Sequence, residues 1–146
     1  MKKLLLLALL FAGCSKKNND KEKTDLLVNK KWVMTGYAEQ KNNGPIVDKW
    51  ASLKDYEKDN YFRFNSDHSY LNSDGEKLDP QFTSDTFDTG TWQLYTRNMA
   101  LQFKSNDHNF YYFETYVTEL TNTTMKWTSY YYTMDTTIQY STFTAE

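Results

Sequence analysis

From Lys31 onward, hydrophobic and polar residues never settle into a sustained 3.6-residue period. Short runs rich in β-branched and aromatic residues alternate with polar turn clusters instead, the pattern of antiparallel strands. The spacing predicts eight of them: Lys31 to Ala38, Asn60 to Asn65, Ser69 to Ser73, Thr89 to Tyr95, Met99 to Lys104, Asn109 to Leu120, Thr124 to Thr133 and Thr136 to Thr144. Most connections are tight, as in Asn65-Ser66-Asp67-His68 and Thr121-Asn122-Thr123, and only Glu39 to Asp59 and Asp74 to Asp88 are long. In the first of these turns His68 stands where glycine is usual, and histidine is among the side chains that tolerate a positive φ. Consecutive tight hairpins imply an up-and-down meander, and eight such strands can close into a barrel that leaves no exposed edge. A two-layer sandwich is the alternative, but its crossovers need more long connections than this chain offers. Ahead of the strands, Thr24 to Asn29 reads as one turn of helix capped by Thr24 or Asp25.

Period-two alternation assigns the inward face of most strands. Trp32 and Met34, Phe62 and Phe64, Trp92 and Leu94, Met99 with Leu101 and Phe103, and Met125 with Trp127 form the apolar side. Four Trp or Phe side chains per layer would fill a barrel of this size, leaving either a solid core or a residual cavity open at one end. On the seventh predicted strand the odd positions through Tyr131 turn inward and Tyr130 outward. The sixth is ambiguous. Pairing Leu120 with Met125 sets Glu119 opposite Lys126 on the outside and, in a regular hairpin, sends Glu114 inward. The other parity turns Phe113 and Val117 inward and leaves Glu114 in water; a slip or bulge near Glu119 separates the two. Under either parity this strand keeps at least two aromatics outside, near Tyr130 and Tyr132, and with Tyr111 and Phe113 they would form a patch fit for a partner surface or a sugar face, unless the long Glu39 to Asp59 segment covers it.

The first residues carry a different kind of information. Met1-Lys2-Lys3 is a positive n-region and Leu4 to Ala12 an unbroken apolar run. As a helix that run spans about 14 Å, far short of the roughly 30 Å of a hydrocarbon core, so it reads as the core of a secretory signal. Phe11-Ala12-Gly13-Cys14, ending at the only cysteine, resembles the bacterial lipobox, in which the cysteine is lipidated and becomes the mature N-terminus. Acyl chains bind membranes at about 0.8 kcal/mol per buried methylene, so two or three of them anchor durably. The expected organisation is a signal over residues 1–13, a lipidated Cys14 with a disordered polar tether over 14–24, and a barrel over 25–146. This places the protein in the cell envelope, on the periplasmic or surface side of the outer membrane.

Composition and charge narrow the chemistry. Aromatic residues make up 17% of the chain, which rules out disorder for its bulk, and the net charge of −2 offers no basic field for nucleic acid. One cysteine excludes an internal disulfide and a cysteine metal site. His68 and His108 read as turn residues, and Asp55, Glu57 and Asp59 as a solvated acidic loop lacking the glycine and final glutamate of a calcium loop. Glu76, Asp79, Asp85 and Asp88 are loop acids of unknown separation, an insufficient basis for a glycosidase pair. No nucleophile elbow, phosphate loop or zinc motif occurs. The reading is of a protein without catalytic residues, metal or cofactor.

Five pieces of sequence occur in an order that resembles a known family. They are Lys30-Lys31-Trp32, Phe64-Asn65-Ser66-Asp67, Gly90-Thr91-Trp92-Gln93-Leu94, Val117-Thr118-Glu119-Leu120 and Thr124-Met125-Lys126-Trp127. Together they resemble the lipocalin-like domain of Bacteroidota lipoproteins over about Leu26 to Phe143. The resemblance implies a barrel plugged at one end by Trp32 and a small apolar or glycan-like ligand. Trp32, Tyr112, Glu114, Trp127 and Tyr131 are the candidates to contact it, with Tyr132 at the rim. The competing expectation is a filled barrel that uses its outer aromatics against another envelope protein.

Overall fold

The computed structural model describes residues 17–81, 84–95, 97, 99–107, 112–132 and 135–146. Cys14, His108 and Tyr111 lie outside the described residues, and of Tyr112 only the backbone is described. The strands are β1 (Lys31–Lys41), β2 (Val47–Asp48), β3 (Tyr61–Phe64), β4 (Ser69–Ser73), β5 (Thr86–Tyr95), β6 (Ala100–Ser105), β7 (Tyr112–Leu120), β8 (Thr124–Tyr132) and β9 (Thr136–Ala145). From β3 to β9 each strand pairs antiparallel with the next, and β1 pairs with both β3 and β9, closing an eight-stranded up-and-down barrel. The two-residue β2 is an addition within the long first connection. It pairs Asp48 with Ala38 on the stretch of β1 that extends beyond β3.

One end of this barrel is plugged. Here the chain enters β1 and leaves β9, and three short hairpins turn between β3 and β4, β5 and β6, and β7 and β8. Trp32 is fully buried and its Nε1 donates to the Leu27 carbonyl at 2.8 Å, so the indole is fixed at both faces and edge. Leu27, Phe64, Trp92, Leu101 and Met125 complete the plug, and every residue of the predicted apolar side from Trp32 to Trp127 lies in or against this core. His68 adopts φ 66° in the β3–β4 turn, the conformation expected for it. Beneath the plug lies α1 (Lys17–Leu27), whose Lys23 Nζ sits 3.1 Å from Met99 Sδ of the β5–β6 hairpin. The single turn expected at Thr24 to Asn29 is thus the end of an eleven-residue helix that takes in much of the stretch read as tether. Its sequence, KNNDKEKTDLL, is polar except at the end, so it shows no 3.6-residue stripe. Asn29 at φ 59° ends the helix and its N–H bonds to the Phe64 carbonyl, turning the chain into β1.

The ambiguity of the sixth predicted strand is settled by a bulge in β7. Leu120 pairs with Met125 and Glu119 with Lys126, whose side chains meet at 2.7 Å, as the charge pairing implies. The register then shifts, so that Val117 rather than Thr118 faces Trp127. Thr118 is the extra residue, and it flips the remainder of the strand. Val117, Thr115 and Phe113 turn inward while Glu114 and Tyr116 turn out. A second bulge, between Met34 and Gly36, does the same for β1 and swings Tyr37 into the interior. Gly90 in β5 permits a close approach: a Cβ there would lie 2.0 Å from the Lys104 carbonyl oxygen and 2.9 Å from the Tyr70 ring.

Candidate ligand-binding cavity

Above the plug, the inward side chains form a layer of large rings. Phe62 meets Trp127 edge to face at 5.0 Å, Trp127 meets Phe143 at 4.4 Å, and Phe103 stacks on Phe113 at 4.8 Å. One inward position further toward the open end, the residues become small or polar on several strands at once. Ser105 stands above Phe103, Ser129 above Trp127 and Ser141 above Phe143, while Asn60 and Asn72 follow Phe62 and Tyr70. The aromatics therefore fill one half of the barrel and floor the other. What remains is a cavity of about 960 Å³, open at the end where the long connections lie, with Leu53 and Glu57 from the first of them in its wall. A pocket of this size and lining is of the kind that holds a small organic molecule.

The cavity wall is hydrogen-bonded into position. The Tyr70 hydroxyl donates to Asp88 Oδ2 at 2.5 Å and Ser105 Oγ donates to Asp88 Oδ1 at 2.6 Å, so both carboxylate oxygens are oriented. Across the barrel the Tyr37 hydroxyl donates to Glu39 Oε1 at 2.5 Å. Burial, reinforced by these carboxylates, holds both phenols well above the ordinary tyrosine range, so they act as fixed donors. Burial also raises the Asp74 carboxyl, which lines the cavity deeper in the loop region.

The structure redistributes the sequence candidates. Trp127 and Tyr131 line the cavity, as a ligand-contacting role requires. Trp32 does not: it is buried in the plug below the floor. Glu114 is corrected from inside to outside. Gln102 Nε2 and the Tyr116 hydroxyl each donate to it at 2.6 Å, and these bonds lower its pKa instead of raising it. Phe113, assigned to the outer patch, is inside and lines the cavity. Both corrections follow from the bulge at Thr118. Tyr130 and Tyr132 are outside and exposed, Tyr132 to 77%, and they form a ladder with Tyr116.

Of the loop acids, Asp88 and Glu57 line the cavity, whereas Asp59 Oδ2 accepts the backbone N–H groups of Glu76 and Lys77 and so shapes a turn. Among the described residues no group of three or more His, Cys, Asp or Glu is arranged to hold a metal ion, and no helix is long and apolar enough to cross a membrane. Tyr70 and the serines were not singled out from the sequence. The signal for the serines is a repeated spacing, an aromatic two residues from a serine on β6, β8 and β9 (Phe103 and Ser105, Trp127 and Ser129, Ser141 and Phe143).

A closed antiparallel meander with one plugged end, one open end and an aromatic-floored interior defines a small-molecule-binding barrel. The match to known families agrees: residues 28–127 match the lipocalin-like domain, and the chain belongs to that family. Barrels of this family are in general non-enzymatic and hold small hydrophobic ligands. No curated protein matches the chain.

Proposed function

We propose that this protein is a non-catalytic binding protein of the cell envelope, holding one small molecule with an apolar body in the cavity above Trp127. The observation that carries the reading is the cavity itself, about 960 Å³ floored by Phe62, Phe103, Phe113, Trp127 and Phe143. A barrel of this strand number has room for a solid core, and a row of serines where rings would fit leaves that room empty. Because Trp127 forms part of the floor, intrinsic tryptophan fluorescence reports on occupancy. Titration with lipids, haem-like compounds and oligosaccharides is expected to give a saturable change with one class, and Trp127→Phe to remove most of that change. A flat response to every class would overturn the binding reading. Support for the envelope location comes from the N-terminal run and Cys14, which give a signal and a lipid attachment point. Cys14→Ala in the native host is expected to release the protein from the membrane fraction; retention there would overturn lipid anchoring.

The Tyr116, Tyr130 and Tyr132 ladder favours a second reading, a surface for another envelope protein. Co-purification of such a protein, lost on Tyr132→Ser, would support it.

A further inference from the structure

The polar wall of the cavity is electrically one-sided. Glu57, Asp74, Asp88 and Asp107 line it, and none of the described lining residues is Lys, Arg or His. Asp88 is the best placed of the four. It faces the space above the aromatic floor, and Tyr70 and Ser105 hold its oxygens from the wall side. A carboxylate offers about four lone-pair positions, so capacity remains after those two bonds for donors arriving from the cavity. The floor contributes a second preference. Faces and edges of Phe103, Phe113 and Trp127 attract apolar groups, and the negative faces of aromatic rings also attract cations. An anionic head group would meet carboxylates on a wall whose described residues offer it no cation. A fatty acid is therefore a poor fit to this wall, although its chain suits the floor.

Resting on the binding reading above, we infer that the ligand is an amphipathic cation: a protonated amine or quaternary ammonium on an apolar, ring-sized body, with the positive group against Asp88 and the body on the aromatic floor. The carboxylate accepts the N–H groups of an amine or pairs by charge with a quaternary nitrogen, and Tyr70 and Ser105 keep it from turning away. Asp107, whose backbone N–H bonds to the same Ser105 hydroxyl, adds a second negative charge to the cavity wall.

Three probes with one body and different head groups test this: 1-naphthylmethylamine, 1-naphthylmethanol and 1-naphthoate, titrated calorimetrically into the purified full chain. The amine is expected to bind at least tenfold more tightly than the alcohol, and the carboxylate weakest of all. Asp88→Asn, checked for folding by its thermal melt, is expected to weaken the amine tenfold or more and to leave the alcohol unchanged. Should that variant fail to fold, Asp107→Asn and the ranking of probes on the natural chain carry the test. Affinities within threefold for all three probes, or a carboxylate that binds best, would overturn the cationic assignment while leaving the cavity a binding site. Silence from all three would overturn it as well. That silence extends to the binding reading only if the fluorescence titration is also flat.

Discussion

The two halves of the barrel are built from the same strands and differ in what those strands point inward. At the plugged end Trp32, Phe64, Leu101 and Met125 are fully buried, the hairpins are short, and α1 covers the base. At the open end the inward residues are serines, asparagines, tyrosines and carboxylates, and both long connections lie there. A β-strand runs through both environments, so alternation fixes which side faces in but not what fills the space there. The contrast teaches a division of labour: burial of apolar surface, which stabilises the fold, is concentrated at one end, and the polar groups available for recognition are kept at the other.

The sharpest way to break that comparison is at the plug. Trp32→Ala removes a fully buried ring and its hydrogen bond to Leu27, and loss of a buried Trp side chain costs about 3–5 kcal/mol. Urea denaturation is expected to show the domain largely unfolded near room temperature; wild-type stability would mean that the plug does not hold the barrel. A smaller effect on stability, with a larger one on binding, is expected at the open end. Ser141→Leu projects a bulky side chain into the cavity, where there is room for it. The melt should move by no more than about 1 kcal/mol equivalent, while affinity for any cavity ligand falls at least tenfold.

The smallest effect belongs to the outer face. Glu114→Gln is expected to change stability by about 0.5 kcal/mol or less, as for other surface substitutions. Its hydrogen bonds from Gln102 and Tyr116 lower the folded-state pKa. The stabilisation they give is therefore present at neutral pH, above the unfolded value, and is lost as pH falls through the acidic carboxylate range. Comparing wild type and variant between about pH 3 and 7 should show a difference that shrinks on acidification. A difference that grows on acidification would return Glu114 to a buried site.

Much of this architecture was legible. The turn clusters gave the hairpins, and period-two alternation picked out Trp32, Phe64, Trp92, Phe103 and Trp127 because the apolar face of a regular strand is continuous. Alternation fails where one residue is inserted. The Glu119–Lys126 pair was a sound anchor, yet Thr118 shifts everything before it, and no side-chain preference at a threonine announces a bulge. The choice between a solid core and a residual cavity stayed open for another reason. Counting aromatics over the whole barrel suggests a filled core, whereas their clustering in half of it emerges only when inward residues are stacked layer by layer. The start of α1 escaped notice because KNNDKEKTDLL is polar except at its end and leaves no periodic stripe.

That helix also marks the end of the barrel opposite the mouth. Through Leu27 under Trp32 and Lys23 beside Met99, the C-terminal half of α1 is held against the plug, on the side away from the cavity. A label or attachment point introduced beside Lys23, on a sensor chip or a bead, therefore sits at the far end from the cavity and leaves the mouth free to exchange with solution.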